Sequence, residues 1–178
     1  RQGIDPPAMA ELGPRSLHDV KLATAREAWL VGDGNLVLTS RDRGRSWVAP
    51  EAKLPLAAGA SFDFYGLATN ASHCWIVGSP GSKVFHCAGG GAEWQVFDTG
   101  QSLPLHAVCF ATEDRGWAVG DLGTILSTHD GGRSWRIERQ GGTRAALLGI
   151  FEDARQTPCE LIAYLAGDEG YRCVVQIL

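Results

Sequence analysis

One eight-residue motif occurs twice in this chain of 178 residues. It reads Ser40-Arg41-Asp42-Arg43-Gly44-Arg45-Ser46-Trp47 and, 88 residues later, Thr128-His129-Asp130-Gly131-Gly132-Arg133-Ser134-Trp135. Both copies fit S/T-x-D-x-G-x-x-W. An Asp in a turn accepts hydrogen bonds from the backbone N–H groups that follow it, and Gly allows the left-handed conformation. The Trp can then pack its large face beneath the hairpin.

The sequence around the motif repeats with the same offset. Trp29-Leu30-Val31-Gly32-Asp33 returns as Trp117-Ala118-Val119-Gly120-Asp121, and a looser copy, Trp75-Ile76-Val77-Gly78, lies between them and closes at Trp94. The unit is therefore about 44 residues long and occurs three times. A period of this length, with short strands and glycine turns, is typical of four-stranded propeller blades.

The repeat divides the chain into segments. Residues 1–16 precede the first unit, residues 17–142 are predicted to form three blades at about 17–60, 61–102 and 103–142, and residues 143–178 form a tail. The fold class is therefore all-β, a partial propeller of three four-stranded blades. Because a ring needs about four blades or more, three leave exposed faces through which two copies could associate.

The repeat resembles the Asp-box, or bacterial neuraminidase repeat, and its spacing is similar to the photosystem II assembly and stability factor family of propellers. The middle unit departs from the pattern, since its turn, residues 88–94, lacks the Asp. The resemblance implies a non-enzymatic scaffold that binds another protein during assembly. It also implies a structural role for the Asp-box residues: Ser40, Asp42, Gly44, Trp47, Thr128, Asp130, Gly132 and Trp135.

The tail allows two interpretations. Thr157-Pro158-Cys159-Glu160 is a helix start, and Leu161, Tyr164 and Leu165 follow at helical spacing, which favours a strand–helix–strand α/β unit. This order is faintly similar to the start of LmbE-type deacetylases, although Phe151-Glu152-Asp153-Ala154 replaces their zinc motif. The alternative is an incomplete fourth blade, because Tyr164-Leu165-Ala166-Gly167-Asp168 resembles the motif Trp117-Ala118-Val119-Gly120-Asp121 of the third unit.

Arginines accompany the Asp-box turns. They are Arg41, Arg43 and Arg45 in the first unit and Arg133, Arg136 and Arg139 after the third. If neighbouring turns project at the same radius, these side chains form a basic rim that docks an acidic protein partner. The alternative is a solvated edge that discourages strand pairing.

Composition and charge exclude several functions. A net charge of −4 argues against nucleic-acid binding, and no apolar stretch is long enough to span a membrane. No cofactor or metal is expected, because Gly89-Gly90-Gly91 lacks the Lys of a phosphate loop and neither Asp-box Asp has a neighbouring carboxylate at ligand spacing.

Two cysteines lie opposite each other if Pro80-Gly81 forms a hairpin tip. Cys74 and Cys87 would then approach disulfide distance, or act as small buried thiols.

No catalytic constellation is evident. His18 and His106 occupy equivalent repeat positions, which indicates packing. A sialidase-like glycosidase would need a Tyr–Glu nucleophile pair, and nothing pairs Tyr65 with a Glu. The main prediction is a scaffold; the alternatives are the propeller portion of a deacetylase fusion or of a glycosidase.

Overall fold

The computed structural model describes residues 14–139, 146–153, 160–166 and 172–176. Most of the proposed N-terminal extension lies outside these residues. The described chain forms four antiparallel sheets in sequence order. Their strands are β1 (Leu17–Leu22), β2 (Ala28–Gly32), β3 (Leu36–Ser40), β4 (Asp63–Thr69), β5 (His73–Ser79), β6 (Lys83–Ala88), β7 (Glu93–Asp98), β8 (Leu105–Phe110), β9 (Gly116–Gly120), β10 (Ile125–Thr128), β11 (Arg136–Arg139), β12 (Ala146–Asp153), β13 (Glu160–Ala166) and β14 (Arg172–Gln176).

Each sheet is a meander in which consecutive strands pair, as expected for propeller blades. The first strands of the sheets, β1, β4, β8 and β12, lie beside one another in that order. The sheets therefore stack face to face around a common axis, with the first strands innermost. This arrangement is a partial β-propeller, and it confirms the all-β fold class.

The core consists of side chains that fill the spaces between neighbouring sheets. Trp29, Phe64 and Phe85 belong to the cluster between the first two sheets, and Trp75 and Leu126 belong to the next. All five are buried. Burying one such side chain contributes about 1.5–3 kcal/mol, so packing between sheets is what holds the blades together.

The first sheet differs from the prediction of four strands. It has three, and the expected fourth is reduced to one bridge, in which the Thr39 and Val48 backbones exchange two hydrogen bonds of 2.8 and 2.9 Å. Pro50 follows two residues later and has no N–H to donate to a longer ladder. The second and third sheets have the expected four strands.

The predicted helix in the tail is wrong. Glu160–Ala166 is strand β13, which pairs with β12 on one side and β14 on the other. Its apolar run is too short for periodicity to separate helix from strand, and pairing on both sides decides for the strand. The helix start at Thr157 to Cys159 lies outside the described residues. The tail therefore corresponds to the incomplete fourth blade, and the similarity to LmbE-type deacetylases loses the helix on which it depended.

No helix of the described part of the chain is long and apolar enough to cross a membrane.

Candidate functional site

The first Asp-box turn is held by hydrogen bonds that converge on two side chains. Asp42 Oδ1 accepts from the backbone N–H groups of Arg45 and Ser46, both at 2.9 Å, and Oδ2 accepts from the Ser46 hydroxyl at 2.7 Å. Ser40 donates its hydroxyl to Asp42 and accepts from the Gly44 N–H at 2.8 Å. The turn therefore has a fixed shape, although it projects into solvent.

The third unit builds the same turn from its own residues. Asp130 Oδ1 accepts from the Ser134 N–H at 2.9 Å and from the Thr128 hydroxyl at 2.8 Å. Thr128 Oγ1 in turn accepts from the Gly132 N–H at 3.0 Å. The predicted equivalence of the two motifs thus extends to individual bonds, and their Asp residues act as acceptors for the turn.

Both carboxylates are stabilised in their charged form. Hydrogen bonds from Ser46 and Ser40 lower the pKa of Asp42 from 3.8 to about 2. Burial raises the pKa of Asp130, but the hydrogen bonds from Ser134 and Thr128 outweigh it and bring that pKa to about 2 as well. These are the shifts expected of carboxylates that accept several hydrogen bonds, and they match a structural role.

The middle turn lacks this bonding, as its sequence predicts. Gly89, Gly90 and Gly91 all have positive φ, between 64° and 108°, and stand where the other units place the Asp-box. No arginine belongs to this turn. The arginines of the first and third units are therefore separated by a blade whose corresponding turn carries no arginine.

The first group of arginines lines one pocket. Arg41, Arg43 and Arg45 surround a space of about 320 Å³ together with Asp42 and Arg26. Sequence reasoning missed Arg26, which lies in the turn between β1 and β2. The two turns are joined by a backbone hydrogen bond of 2.9 Å from the Arg43 N–H to the Arg26 carbonyl, and the Gly131 N–H donates to the Asp114 carbonyl in the same way in the third unit. Each of the two Asp-box turns is thus hydrogen-bonded to the neighbouring turn of its own blade.

The second group is not part of this pocket. Arg133 donates from Nη1 to the Asp130 carbonyl at 3.0 Å, and Arg136 is exposed at the start of β11. Arg139 ends the same strand. The structure therefore brings together four arginines of the first unit, whereas the continuous rim across blades stays a prediction.

Arg43 has an unusual backbone conformation. Its φ is 66°, in the left-handed region, and the equivalent residue of the third unit is Gly131 with a φ of 74°. A side chain in this conformation costs about 1–2 kcal/mol, whereas Gly adopts it freely. The first unit thus carries an arginine where the repeat favours glycine.

The two candidate disulfide cysteines pair in the predicted register. Cys74 of β5 lies opposite Cys87 of β6, and both are buried. They are free thiols, so the structure does not contain the disulfide. Burial raises the pKa of both thiols, and Cys87 Sγ donates to the Ala88 carbonyl at 3.4 Å, so they fill the core as small apolar side chains.

The residues of a sialidase-type centre are not brought together. Tyr65 stacks on His106, with ring centroids 5.2 Å apart, and the pocket beside it contains no glutamate among the described residues. In the same part of the chain, no group of three or more His, Cys, Asp or Glu side chains could hold a metal ion.

Comparison with known proteins identifies the repeat. The family model described as "Photosynthesis system II assembly factor YCF48" matches residues 10–109. The "Photosystem II assembly lipoprotein Ycf48" of Synechococcus sp. (strain CC9902) is 25% identical over 119 residues, which are 66% of this chain and 35% of the relative.

Solved structures support the fold. A structure of YCF48 bound to D1 peptide superposes with a TM-score of 0.68 at 19% identity, covering 85% of this chain and 49% of that one. An ancestral GH74 enzyme superposes less well, with a TM-score of 0.55 at 18% identity, over 86% of this chain and 22% of the enzyme. The chain thus spans about a third of the curated relative and about half of the YCF48 structure.

Proposed function

Because this chain belongs to the photosystem II assembly factor YCF48 family, we propose that it is a non-catalytic propeller scaffold. Its role is to bind a segment of another protein while a complex assembles. We propose further that the segment is acidic and docks at the basic pocket, defined as the space lined by Arg26, Arg41, Arg43 and Arg45.

The basic pocket is the observation that carries this proposal. Four guanidinium groups line a space of about 320 Å³ that contains a single carboxylate, Asp42. That carboxylate is occupied by the turn, since it accepts bonds from Arg45, Ser46 and Ser40. All four arginines are exposed, three on the hydrogen-bonded Asp-box turn and Arg26 on the turn beside it. Arg41 lies 3.8 Å from the exposed Glu51 carboxylate, a distance at which an acidic segment can replace it. Planar guanidinium groups bind carboxylates in pairs of bonds.

The conformation of Arg43 supports a binding role for its side chain. A residue in the left-handed region destabilises the fold unless something else retains it, and such residues cluster at ligand sites. The equivalent Gly131 shows that the turn itself does not need an arginine. An advantage in binding accounts for the arginine.

The relatives support a polypeptide as the ligand. YCF48 has been solved bound to D1 peptide, and it shares the sheet arrangement of this chain. The GH74 enzyme shares only the fold at 18% identity. In the described residues Tyr65 lacks the glutamate that glycoside cleavage by a Tyr nucleophile would use, so the arrangement favours binding over catalysis.

Self-association of this chain through its open first blade is a second proposal. The first strand exposes Leu17, Val20 and Leu22 to 50%, 55% and 71%. A second copy that covered these side chains would remove apolar surface from water. Light scattering after size exclusion tests this: a dimer that Leu22→Glu converts to monomer supports it, and a monomer at all concentrations contradicts it.

The acidic-partner proposal is tested with a dye-labelled hexapeptide of alternating Asp and Gly residues. Its affinity is measured by fluorescence anisotropy for the protein and for an Arg41→Glu/Arg45→Glu variant. Because each exposed ion pair is worth about 0.2–1 kcal/mol and each reversal replaces an attraction by a repulsion, we expect binding to weaken about tenfold.

Two controls make the result specific. Lys53→Glu changes an exposed lysine outside the pocket and should leave the affinity within about twofold, which corresponds to the smallest effects measured for exposed charges. A hexapeptide with Asn in place of Asp should not bind. Equal loss of affinity in the Lys53 variant and in the arginine variant would show that net charge, rather than this pocket, attracts the peptide.

A further inference from the structure

The innermost strands share an irregularity at one position. In β1, β4, β8 and β12 the pairing with the next strand shifts by one residue, and the extra residues are His18, Tyr65, His106 and Leu148. A bulge redirects a side chain away from the regular alternation of the sheet. Four equivalent bulges thus place two imidazoles, a phenol and an aliphatic side chain around the inner channel.

These side chains contact one another. Tyr65 lies between the two histidines, with its ring centroid 5.3 Å from that of His18 in an edge-to-face contact and 5.2 Å from that of His106 in a stacked contact. Three blades therefore contribute to one aromatic row, which we call the axial cluster (His18, Tyr65 and His106). This row is not fully buried: His18 is exposed at one end, and Tyr65 and His106 are half-buried. Packing alone therefore does not account for it.

A carboxylate orients each imidazole. His18 Nε2 lies 2.6 Å from Asp33 Oδ1, and His106 Nε2 lies 2.7 Å from Asp121 Oδ1. The two aspartates follow equivalent Gly residues at the ends of β2 and β9. Because a carboxylate accepts a hydrogen bond, each neutral imidazole carries its proton on Nε2 and presents Nδ1 as an acceptor.

The axial cluster lines a pocket of about 220 Å³, together with Asp19, Lys21 and the apolar side chain of Leu148. This is below the roughly 300–1,000 Å³ of small-molecule sites and suits a single side chain. Three carboxylates lie at the pocket wall or directly behind it, those of Asp19, Asp33 and Asp121. The ammonium group in the lining belongs to Lys21, and it already lies 3.2 Å from Asp19.

The chemistry of this wall favours a cation. Imidazole Nδ1 atoms and carboxylates accept hydrogen bonds, and the face of a phenol attracts a positive charge. Leu148 offers an apolar surface to an aliphatic stem, which is how long basic side chains pack. Tyr65 contacts both histidines through its ring, so it contributes an aromatic surface to this wall.

The site lies at the opposite end of the blade from the basic pocket. Leu17 and Leu36 pair with Gly32 at the end that carries His18 and Asp33, whereas Ser40, which opens the Asp-box, pairs with Ala28 at the other end. The two proposed sites therefore lie at opposite ends of the first blade. Binding at one does not require binding at the other.

We propose that the axial cluster is a second binding site, which takes the ammonium group and aliphatic stem of a lysine side chain on a partner polypeptide. The ammonium group sits against Tyr65 and the Nδ1 acceptors, and the stem lies along Leu148. The proposal is independent of the acidic segment proposed for the basic pocket.

The experiment titrates the protein with the capped peptide Gly-Gly-Lys-Gly-Gly while the imidazole Cε1–H signals are followed by NMR. We expect saturable shifts of the His18 and His106 signals. The matched peptide with norleucine has the same stem without the charge, and it should bind at least about tenfold more weakly, as expected when a charged hydrogen-bonding group is lost. A glutamate peptide should not bind at all.

Variants locate the site. Asp33→Asn/Asp121→Asn keeps acceptors for both imidazoles but removes the charge, and we expect affinity for the lysine peptide to fall about tenfold. Tyr65→Leu removes the aromatic face and should weaken binding about two- to fivefold. Asp98→Asn is the control, since this exposed aspartate pairs with Lys83 outside the pocket and should leave affinity unchanged.

Several results would overturn the proposal. These are equal shifts from the lysine and norleucine peptides, tighter binding of the glutamate peptide, or equal affinity of wild type and both variants. If the double Asp variant has lost its near-UV circular dichroism spectrum, the Tyr65 variant decides alone.

Discussion

Replacing Arg43 by glycine should stabilise the protein while weakening the proposed binding. The residue has a φ of 66°, which costs a side chain about 1–2 kcal/mol. Glycine avoids this cost but loses about 0.5–1 kcal/mol of extra chain entropy on folding. The net expectation for Arg43→Gly is a gain of about 0.5–1 kcal/mol in the free energy of unfolding. That corresponds to a rise of roughly 1–4 °C in Tm.

Arg45→Gly is the matched control. Arg45 lines the same pocket and is not among the residues with positive φ, so glycine there brings the entropy cost without relief. Thermal unfolding followed by circular dichroism should therefore move Tm upward for the first variant and downward for the second. Anisotropy should show both binding the acidic hexapeptide less tightly. A lower Tm for Arg43→Gly would refute the argument that this arginine costs stability.

Three further outcomes are expected. The pKa of Asp130 is lowered to about 2, so its contribution to stability is present above about pH 4 and is lost as pH falls towards 2; urea unfolding should show the difference between wild type and Asp130→Asn shrinking over that range. Gly132→Ala should destabilise the protein more than Gly100→Ala, because both have positive φ but only the former would bring a Cβ within 3.3 Å of the Trp75 ring; thermal unfolding compares them. Cys74 should resist iodoacetamide until denaturant is added, since it is buried and its pKa is raised, and peptide mass mapping measures this.

The repeat predicted the fold because its signals are local. The Asp-box specifies its own turn through bonds within eight residues, so the bonding of Asp42 and Asp130 follows from sequence. The register of Cys74 and Cys87 followed from the hairpin tip in the same way. In each case the residues that matter are close along the chain.

The predictions that were wrong or incomplete concern features set by contacts between residues far apart in the sequence. The run at Glu160–Ala166 fits a helix or a strand, and its pairing with both β12 and β14 selects the strand. The first blade has a reduced fourth strand because backbone pairing there is limited to the bridge between Thr39 and Val48. Where that pairing stops is likewise not visible in the sequence. Arg26 was missed because it lies in another turn, and only the bond from Arg43 brings the two turns together.

The axial cluster was visible in sequence only in part. His18 and His106 share an offset, but Tyr65 belongs to the looser middle unit and is not a histidine. The bulges that align the three residues lie in the pairing of the first and second strands of each sheet, and the sequence alone does not show them. The equivalent positions of His18 and His106 in the sequence therefore indicated only packing. The structure shows that both also line a pocket.

Docking of an acidic segment at the basic pocket can be observed residue by residue. The most direct measurement is a titration of the protein with the Asp-Gly hexapeptide, followed through backbone amide shifts in two-dimensional NMR. We expect the largest shifts on residues 41–46 and on Arg26, with saturable binding whose affinity falls as salt is raised. Shifts concentrated at the Asp33 and Asp121 end of the blades, or none that saturate, would contradict it.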